Sequence, residues 1–237
     1  MNRVVCFGLC AIACQVAYPD SLDWGGGFVG GLLGTSRTTT DTVFNYPLQT
    51  PPISLYYTSG RLGNGNFGGI YGGYNYYIDN KLVLGVDWDV NKGSLSNSGT
   101  RYTNLGTTYP SITGSAEMNW FSSLRLRLGY SMDRFLPYVT AGLAVAQVKF
   151  AYDWTNPVVT GSGNETGNKT AKGWTLGTGV NYALTDRWIV NAEYRHTRYS
   201  TLNATLERRA VGGDVASSPA SLRMNADIVN FGITYKF

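Results

Sequence analysis

The sequence predicts an all-β fold, namely an eight-stranded antiparallel up-and-down transmembrane β-barrel with short periplasmic turns and long extracellular loops. Charged residues make up 14% of the 237 residues, where about a quarter is usual in soluble domains. Beyond the first twenty residues, no apolar run is long enough to form a membrane-spanning helix. The final segment, 224–237, alternates apolar and polar residues and ends on Phe237. A polar interior and an apolar exterior explain all three observations.

The first seventeen residues are predicted to be a signal peptide, which leaves 18–237 as the barrel domain. Arg3 precedes an apolar run over 4–13, and small or polar residues continue to Ala17. The three cysteines, Cys6, Cys10 and Cys14, all lie in this leader. Cleavage after Ala17 would give a thiol-free chain suited to the oxidising periplasm. Lipoprotein processing before Cys14 is the alternative.

Eight segments have the alternation of strands and reach the ~9–11 residues that a tilted strand needs to cross a bilayer. They cover 26–37, 66–78, 81–93, 116–132, 136–152, 173–184, 188–199 and 224–237.

Two kinds of connection alternate along the chain. Short Asx-containing turns at 79–80, 133–135 and 185–187 predict tight hairpins. The other connections, 38–65, 94–115, 153–172 and 200–223, are long and rich in Thr, Ser, Asn and Gly. Short turns on one rim and long loops on the other are typical of outer-membrane barrels.

The alternation also assigns residues to faces. Aromatic residues near strand ends predict two interfacial girdles, with Tyr138, Trp188, Tyr235 and Phe237 at the short-turn rim and Trp120, Trp174 and Tyr194 at the other. The fourth segment has Met118, Trp120 and Leu124 on the face assigned to lipid.

Charged residues on the opposite faces predict an ion-pair network that fills a narrow lumen. Eight strands enclose only enough room for their own side chains, and buried charges need partners. The predicted network comprises Asp87, Asp89, Glu117 and Glu193 with Arg125, Arg127, Lys149, Arg195 and Lys236. A small diffusion pore is disfavoured by this crowding. Paired carboxylates and arginines resemble catalytic residues, but structural pairing is the preferred interpretation, and no catalytic residue or metal ligand is predicted.

The net charge of +4 is scattered, and no basic cluster with stacking aromatics predicts nucleic-acid binding. An envelope-lipid hydrolase would require a His–Ser pair. His196 and Ser200 share a face but lie ~13 Å apart in an extended strand, so hydrogen bonding between them is excluded.

An ordered series of motifs resembles a known family. It includes GGIYGGYNY at 68–76, RLRLGY at 125–130, RFLPYVT at 134–140 and the closing YKF at 235–237. These residues resemble the small porin-like surface antigens of alphaproteobacterial outer membranes, related to the opacity-type and OmpA-type eight-stranded barrels. The resemblance implies an integral protein of the cell outer membrane, in contact with lipid and lipopolysaccharide. It also implies that the barrel-assembly machinery recognises the closing strand, with Tyr235 and Phe237 as the assembly signal.

Two functions follow from the resemblance. The first is a non-catalytic barrel with an envelope-structural or surface-interaction role, whose partners include host surfaces. The second is hemin binding, for which the axial ligand would be His, Tyr, Met or Cys. The weak candidates are His196 on the outward face and the tyrosines Tyr56, Tyr57, Tyr102 and Tyr109.

Overall fold

The computed structural model describes residues 22–46, 53–102, 111–156, 161–209 and 215–237. Eight strands form one closed antiparallel barrel in which each strand pairs with its chain neighbours and the first pairs with the last. They are β1 (Gly26–Tyr46), β2 (Ile53–Tyr77), β3 (Leu82–Tyr102), β4 (Ser111–Tyr130), β5 (Phe135–Asn156), β6 (Gly161–Ala183), β7 (Trp188–Arg209) and β8 (Val215–Lys236). Within the described ranges, no helix has the length and apolar character needed to cross a membrane. The predicted signal peptide at 1–17 lies outside these ranges.

The three short turns occur where the sequence predicts them. Between β2 and β3, Ile78 N donates to Leu82 O at 2.9 Å. Met132 and Phe135 exchange two backbone hydrogen bonds of 2.8 Å, with Asp133 at a φ of 49°. Asp is one of the few residues that tolerate this left-handed conformation, so the local sequence suits the turn.

The long connections predicted from sequence are mostly strand. The described strands contain 20–25 residues, about twice the ~9–11 needed to cross a bilayer. The β1–β2 ladder, for example, continues from Arg37↔Asn64 to Tyr46↔Ile53 with register shifts near Thr38. Outside lipid a strand needs no apolar face, so pairing continues after the alternation has disappeared. The predicted long loops are therefore wrong over most of their length.

The outward face carries the predicted aromatic girdles, with one exception. Trp188 and Phe237 are exposed near the short turns, and Trp120 and Trp174 are exposed toward the opposite end. Tyr138 instead points into the barrel and is only 3% exposed. It shares the inward parity of its neighbours at 136 and 140, which places it among the charged residues described below.

A β-bulge in β4 overturns part of the predicted face assignment. The register with β5 shifts between Met118 and Trp120. An extra residue at a bulge reverses the side-chain parity beyond it. Met118 is consequently buried inside, while Glu117 faces outward and is exposed.

The interior has layers of different polarity. At the short-turn end lies an apolar plug, defined by Trp24, Val83, Leu136, Ala183 and Ile189, with Leu22 and Tyr77 packed against it. A charged layer follows. A second apolar cluster lines β1 and β2 beside this layer and continues beyond it toward the long-strand end through Phe121, Ala146, Val148 and Met224. Apolar side chains therefore interrupt the predicted polar lumen on both sides of the charged layer, although buried polar residues such as Ser36, Thr38 and Asn75 also lie outside that layer.

Candidate functional site

The charged layer brings together six of the nine residues predicted for the lumen network. Asp87 and Asp89 lie two residues apart on β3, so both point inward. Arg125 and Arg127 do the same on β4, and Arg125 is the direct cross-strand partner of Asp87. Glu193 and Arg195 enter from β7. All six are between 0 and 5% exposed.

Arg125 is the hub of the layer. Its Nε donates to Asp87 Oδ1 at 2.8 Å, and its Nη1 donates to Glu193 Oε1 at 2.7 Å. Its Nη2 lies 3.2 Å from Asp89 Oδ2. One guanidinium therefore contacts three carboxylates, and its planar fork of donors makes this geometry feasible.

The other two arginines complete the charge balance. Arg127 Nη2 lies 2.6 Å from Asp87 Oδ2, and its guanidinium stacks 4.2 Å from the centre of the Tyr138 ring. Arg195 Nη1 donates to Asp89 Oδ2, and its Nε lies 3.5 Å from Glu193 Oε1. Three carboxylates thus face three guanidiniums, and the layer is formally neutral.

Neutral side chains donate further hydrogen bonds to the carboxylate oxygens of the charged layer. Tyr138 OH donates to Glu193 Oε2 at 3.0 Å. Ser123 Oγ and Asn91 Nδ2 donate to the two oxygens of Asp89, at 2.7 and 2.6 Å. A buried charge remains stable only when such partners surround it. These partners carry no charge and were not predicted, although their inward parity on β3, β4 and β5 marks them as facing the same layer.

The plug beneath the charged layer was not predicted from the sequence. Trp24 precedes β1 and is fully buried in the barrel mouth. Its backbone N donates to Tyr77 Oη at 3.1 Å, and its indole Nε1 donates to Asp133 O at 3.3 Å. Asn75 Nδ2 donates to the carbonyl of Trp24 at 3.1 Å. No periodic pattern extends before β1, so sequence alternation could not reveal Trp24, although the other four members of the plug lie on strands at inward positions.

Three predicted network members lie elsewhere. Glu117 and Lys149 are direct cross-strand partners on β4 and β5, but both are exposed on the outward face. The bulge near residue 119 accounts for Glu117, and Lys149 shares the outward parity of Leu143. Lys236 is half-buried, and its Nζ donates to the carbonyl of Asp23, next to the plug. Their assignment to the lumen network is corrected accordingly.

His196 lies on the outward face, as the sequence predicts. Its Nδ1 is 2.8 Å from Asp227 Oδ1, which also accepts a 2.8 Å hydrogen bond from Tyr194 OH. Tyr56, Tyr57 and Tyr102 lie on the far parts of β2 and β3, and Tyr109 lies outside the described residues. Hemin binding by these residues stays a prediction.

The proposed assembly signal is an aromatic cluster. The rings of Trp188 and Tyr235 lie 5.3 Å apart, and those of Tyr235 and Phe237 lie 5.6 Å apart, both edge to face. Phe237 N donates to Gly27 O at 3.0 Å, which continues the ladder that closes the barrel. Recognition of these residues by an assembly machinery stays a prediction.

The arrangement joins opposite walls of the barrel and fills its cross-section. In the described part of the chain, no three His, Cys, Asp or Glu side chains are grouped as metal ligands would be. Each carboxylate of the charged layer is instead held by arginine. The chemistry that the layer supports is charge neutralisation within a closed interior.

Comparison with known proteins identifies the family. A family model described as the outer membrane protein beta-barrel domain matches residues 6–237. This chain belongs to that family. The 31 kDa outer-membrane immunogenic protein of Brucella melitensis biotype 1 is 31% identical over 228 residues, which cover 92% of this chain and 85% of the relative. The 22 kDa outer membrane protein of Rhizobium leguminosarum bv. viciae is 31% identical over 172 residues, which cover 72% and 66%.

Solved structures show the same fold. The outer membrane protease OmpT of Escherichia coli matches with a TM-score of 0.55 at 11% identity, covering 89% of this chain and 96% of that one. OprG of Pseudomonas aeruginosa matches with a TM-score of 0.53 at 13% identity, covering 92% and 99%. The family member described here is an integral protein of the outer membrane.

Proposed function

We propose that this barrel is a non-catalytic envelope protein with a structural and surface-interaction role, and that it does not conduct solutes. The closed interior is the observation that carries the proposal. Six paired charges fill the middle layer, and Trp24 with its apolar neighbours fills the mouth beneath it. Small eight-stranded barrels have interiors just wide enough for their own side chains, which agrees with this packing.

Strand length supports the surface role. In bacterial barrels the short turns face the periplasm and the opposite end faces outward. β1 continues for nine residues beyond Arg37, and β2 begins at Ile53, well before Ile70, the first exposed apolar residue among its described side chains. At ~3.3 Å per residue, nine residues extend roughly 30 Å. The barrel therefore presents a tall β-structure at the cell surface, where partners meet it.

Conductance across a planar bilayer tests the closed interior. The wild-type protein should give no discrete current steps, because buried, paired side chains occupy the charged layer and Trp24 occupies the mouth beneath it. The matched control is the double variant Trp24→Ala with Arg125→Ala, which removes the largest side chain of the plug and the hub of the charged layer. That variant should give measurable steps, provided that its heat-dependent gel shift shows a folded barrel. Regular, long-lived steps in the wild-type protein would refute the closed interior.

A further inference from the structure

The outward face changes character abruptly at the long-strand end of the apolar belt. On six strands, the exposed apolar residues give way to an exposed cation within two to six residues. The cations are Arg37 on β1, Lys92 on β3, Lys149 on β5, Lys172 on β6, Arg198 on β7 and Arg223 on β8. We call these six residues the cationic belt.

The opposite rim of the barrel has no such excess. Among the described side chains near the short turns, four acids accompany four bases: Asp23, Asp79, Asp133 and Asp186 with Lys81, Arg134, Arg187 and Lys236. Near the cationic belt, the described outward acids are Glu117 and Asp227. Glu117 lies directly opposite Lys149, and Asp227 is bonded to His196 and Tyr194. Among the described side chains, the excess of positive charge is therefore found at one rim.

The belt is densest on β6 and β7. Arg198 is the direct cross-strand partner of Trp174, and Lys172 follows two residues along on the same face of β6. Residues diagonal across a strand pair lie about 7–8 Å apart, within reach of long side chains. Arg223 lies further around on β8, where its Nε donates to Thr201 Oγ1 at 3.3 Å and Asp41 is its partner in register. Among the described side chains, no ion pair joins Lys172 or Arg198 to an acid. Asp227 lies diagonal to Arg198 across β7 and β8, but its carboxylate is bonded to His196 and Tyr194.

Two like charges on neighbouring strands repel each other, so the pair is stable only where an anion or water compensates. The position of Lys172 and Arg198 along the membrane normal indicates which anion they would bind. Trp174 marks the interfacial zone of the bilayer, and the two cations lie at that edge of the apolar face, where lipid headgroups are found. Lysine and arginine bind phosphate by charge-assisted hydrogen bonds.

We infer that Lys172, Trp174 and Arg198 form a binding surface for the phosphate groups of the outer-leaflet lipid, lipopolysaccharide. The acyl chains would lie along the exposed apolar residues below, such as Leu143 and Leu176, while the phosphates engage the two cations. The inference rests on the outer-membrane location and is independent of whether the interior is closed.

The test is the thermal midpoint of the folded barrel in detergent, followed by its heat-dependent gel shift, during titration with purified lipopolysaccharide. The wild-type midpoint should rise with saturation, because a ligand that binds only the folded state stabilises it. The variant K172Q with R198Q should need roughly 30-fold more lipopolysaccharide for the same rise, since each cation near an anionic surface contributes to binding. The matched control, K81Q with R187Q, removes the same charge at the short-turn rim and should respond as the wild type does.

Three comparisons define failure. An equal response in K172Q with R198Q would overturn the inference, as would an equal response to chemically dephosphorylated lipopolysaccharide. A full shift produced by inorganic phosphate alone would mean a site for free anions, which also overturns it. If K172Q with R198Q fails to fold, the charge-preserving variant K172R with R198K takes its place. That variant should keep the wild-type response to lipopolysaccharide, and losing it would count against phosphate binding.

Discussion

Arg125 and Glu193 stand on opposite walls of the barrel, on β4 and β7, and their side chains meet in a 2.7 Å ion pair. The two residues are 68 positions apart in the chain, and their strands are not neighbours in the sheet. The pair therefore forms only when the sheet from β4 to β7 has curved enough to bring these two strands face to face. It links the stability of the charged layer to the curvature of the barrel wall.

This relationship predicts strong coupling between the two residues. Arg125→Ala and Glu193→Ala should each lower the free energy of unfolding by about 3–5 kcal/mol, because each leaves a buried charge without its partner. The double variant should lose clearly less than the sum, since removing both charges leaves neither of them unpaired. Urea unfolding of the detergent-refolded protein, followed by tryptophan fluorescence, gives the three values.

The matched control is a second double-mutant cycle in which Glu117→Ala takes the place of Glu193→Ala. Glu117 is exposed on the outward face. Effects of Arg125→Ala and Glu117→Ala should simply add, because the two side chains share no contact. Strict additivity for Arg125 with Glu193 would refute the network. If Arg125 and Glu117 showed a coupling energy of similar size, the coupling between Arg125 and Glu193 would have to arise in the unfolded state and not from their contact.

The plug makes a second prediction. Trp24→Ala should lower the free energy of unfolding by about 3–5 kcal/mol, the usual effect of truncating a fully buried aromatic side chain. Trp188→Ala, at the exposed aromatic girdle, is the control and should cost less, because that side chain is 46% exposed. Unfolding curves of the two variants decide the question. If Trp24→Ala had the same free energy of unfolding as the wild type, packing of Trp24 in the plug would not contribute to the stability of the barrel.

Much of the charged layer could be predicted from sequence, because alternation along a single strand shows which of its side chains share a face. Asp87 and Asp89 occupy alternate positions on one strand, as do Arg125 and Arg127 on the next. Inward parity therefore identifies the members of the layer. The register between β3 and β4 is different, because a long connection and not a tight turn joins these strands, and only the structure shows that Asp87 lies opposite Arg125.

The failures have a different physical origin. Glu117 lies beyond a bulge, where a single extra residue reverses parity and alternation gives no warning. Trp24 precedes the first strand, so its burial depends on contacts with β2 and the β4–β5 turn that no local pattern encodes. The far parts of the strands are rich in Thr, Ser, Asn and Gly, so no alternation predicts them, although the structure continues the strand pairing there.

A third prediction concerns the space that Arg125 needs. A Cβ at Gly142 would overlap the carbonyl oxygen of Leu124 and lie 2.6 Å from Cα of Arg125. Because both are backbone atoms, no rotamer change relieves the overlap. Gly142→Ala should therefore reduce the yield of heat-modifiable, folded barrel severalfold.

Gly31→Ala is the matched control for that experiment. A Cβ there would meet only the carbonyl oxygen of Gly69, at an ordinary contact distance of 3.9 Å. Its refolding yield should match that of the wild type. If Gly142→Ala refolds equally well, the close approach of β4 and β5 at Arg125 is not a constraint on the fold.

The last prediction separates the proposed role from hemin binding. Hemin added to the detergent-refolded barrel should give a non-saturating Soret response, as simple partitioning does. The bond from Asp227 to His196 Nδ1 leaves Nε2 available as an iron ligand. The imidazole, however, lies on the open outward face, 6.3 Å from the Trp174 ring, and not inside an enclosed pocket that could hold a porphyrin. The described interior cavity beside Arg127 holds about one water molecule, far too little for a porphyrin. A saturable one-to-one hemin complex that disappears in His196→Ala would favour hemin binding over the structural and surface-interaction role. If such a complex survived His196→Ala but disappeared when Tyr56, Tyr57, Tyr102 and Tyr109 were replaced by Phe, the axial ligand would lie on the far strands and their connections.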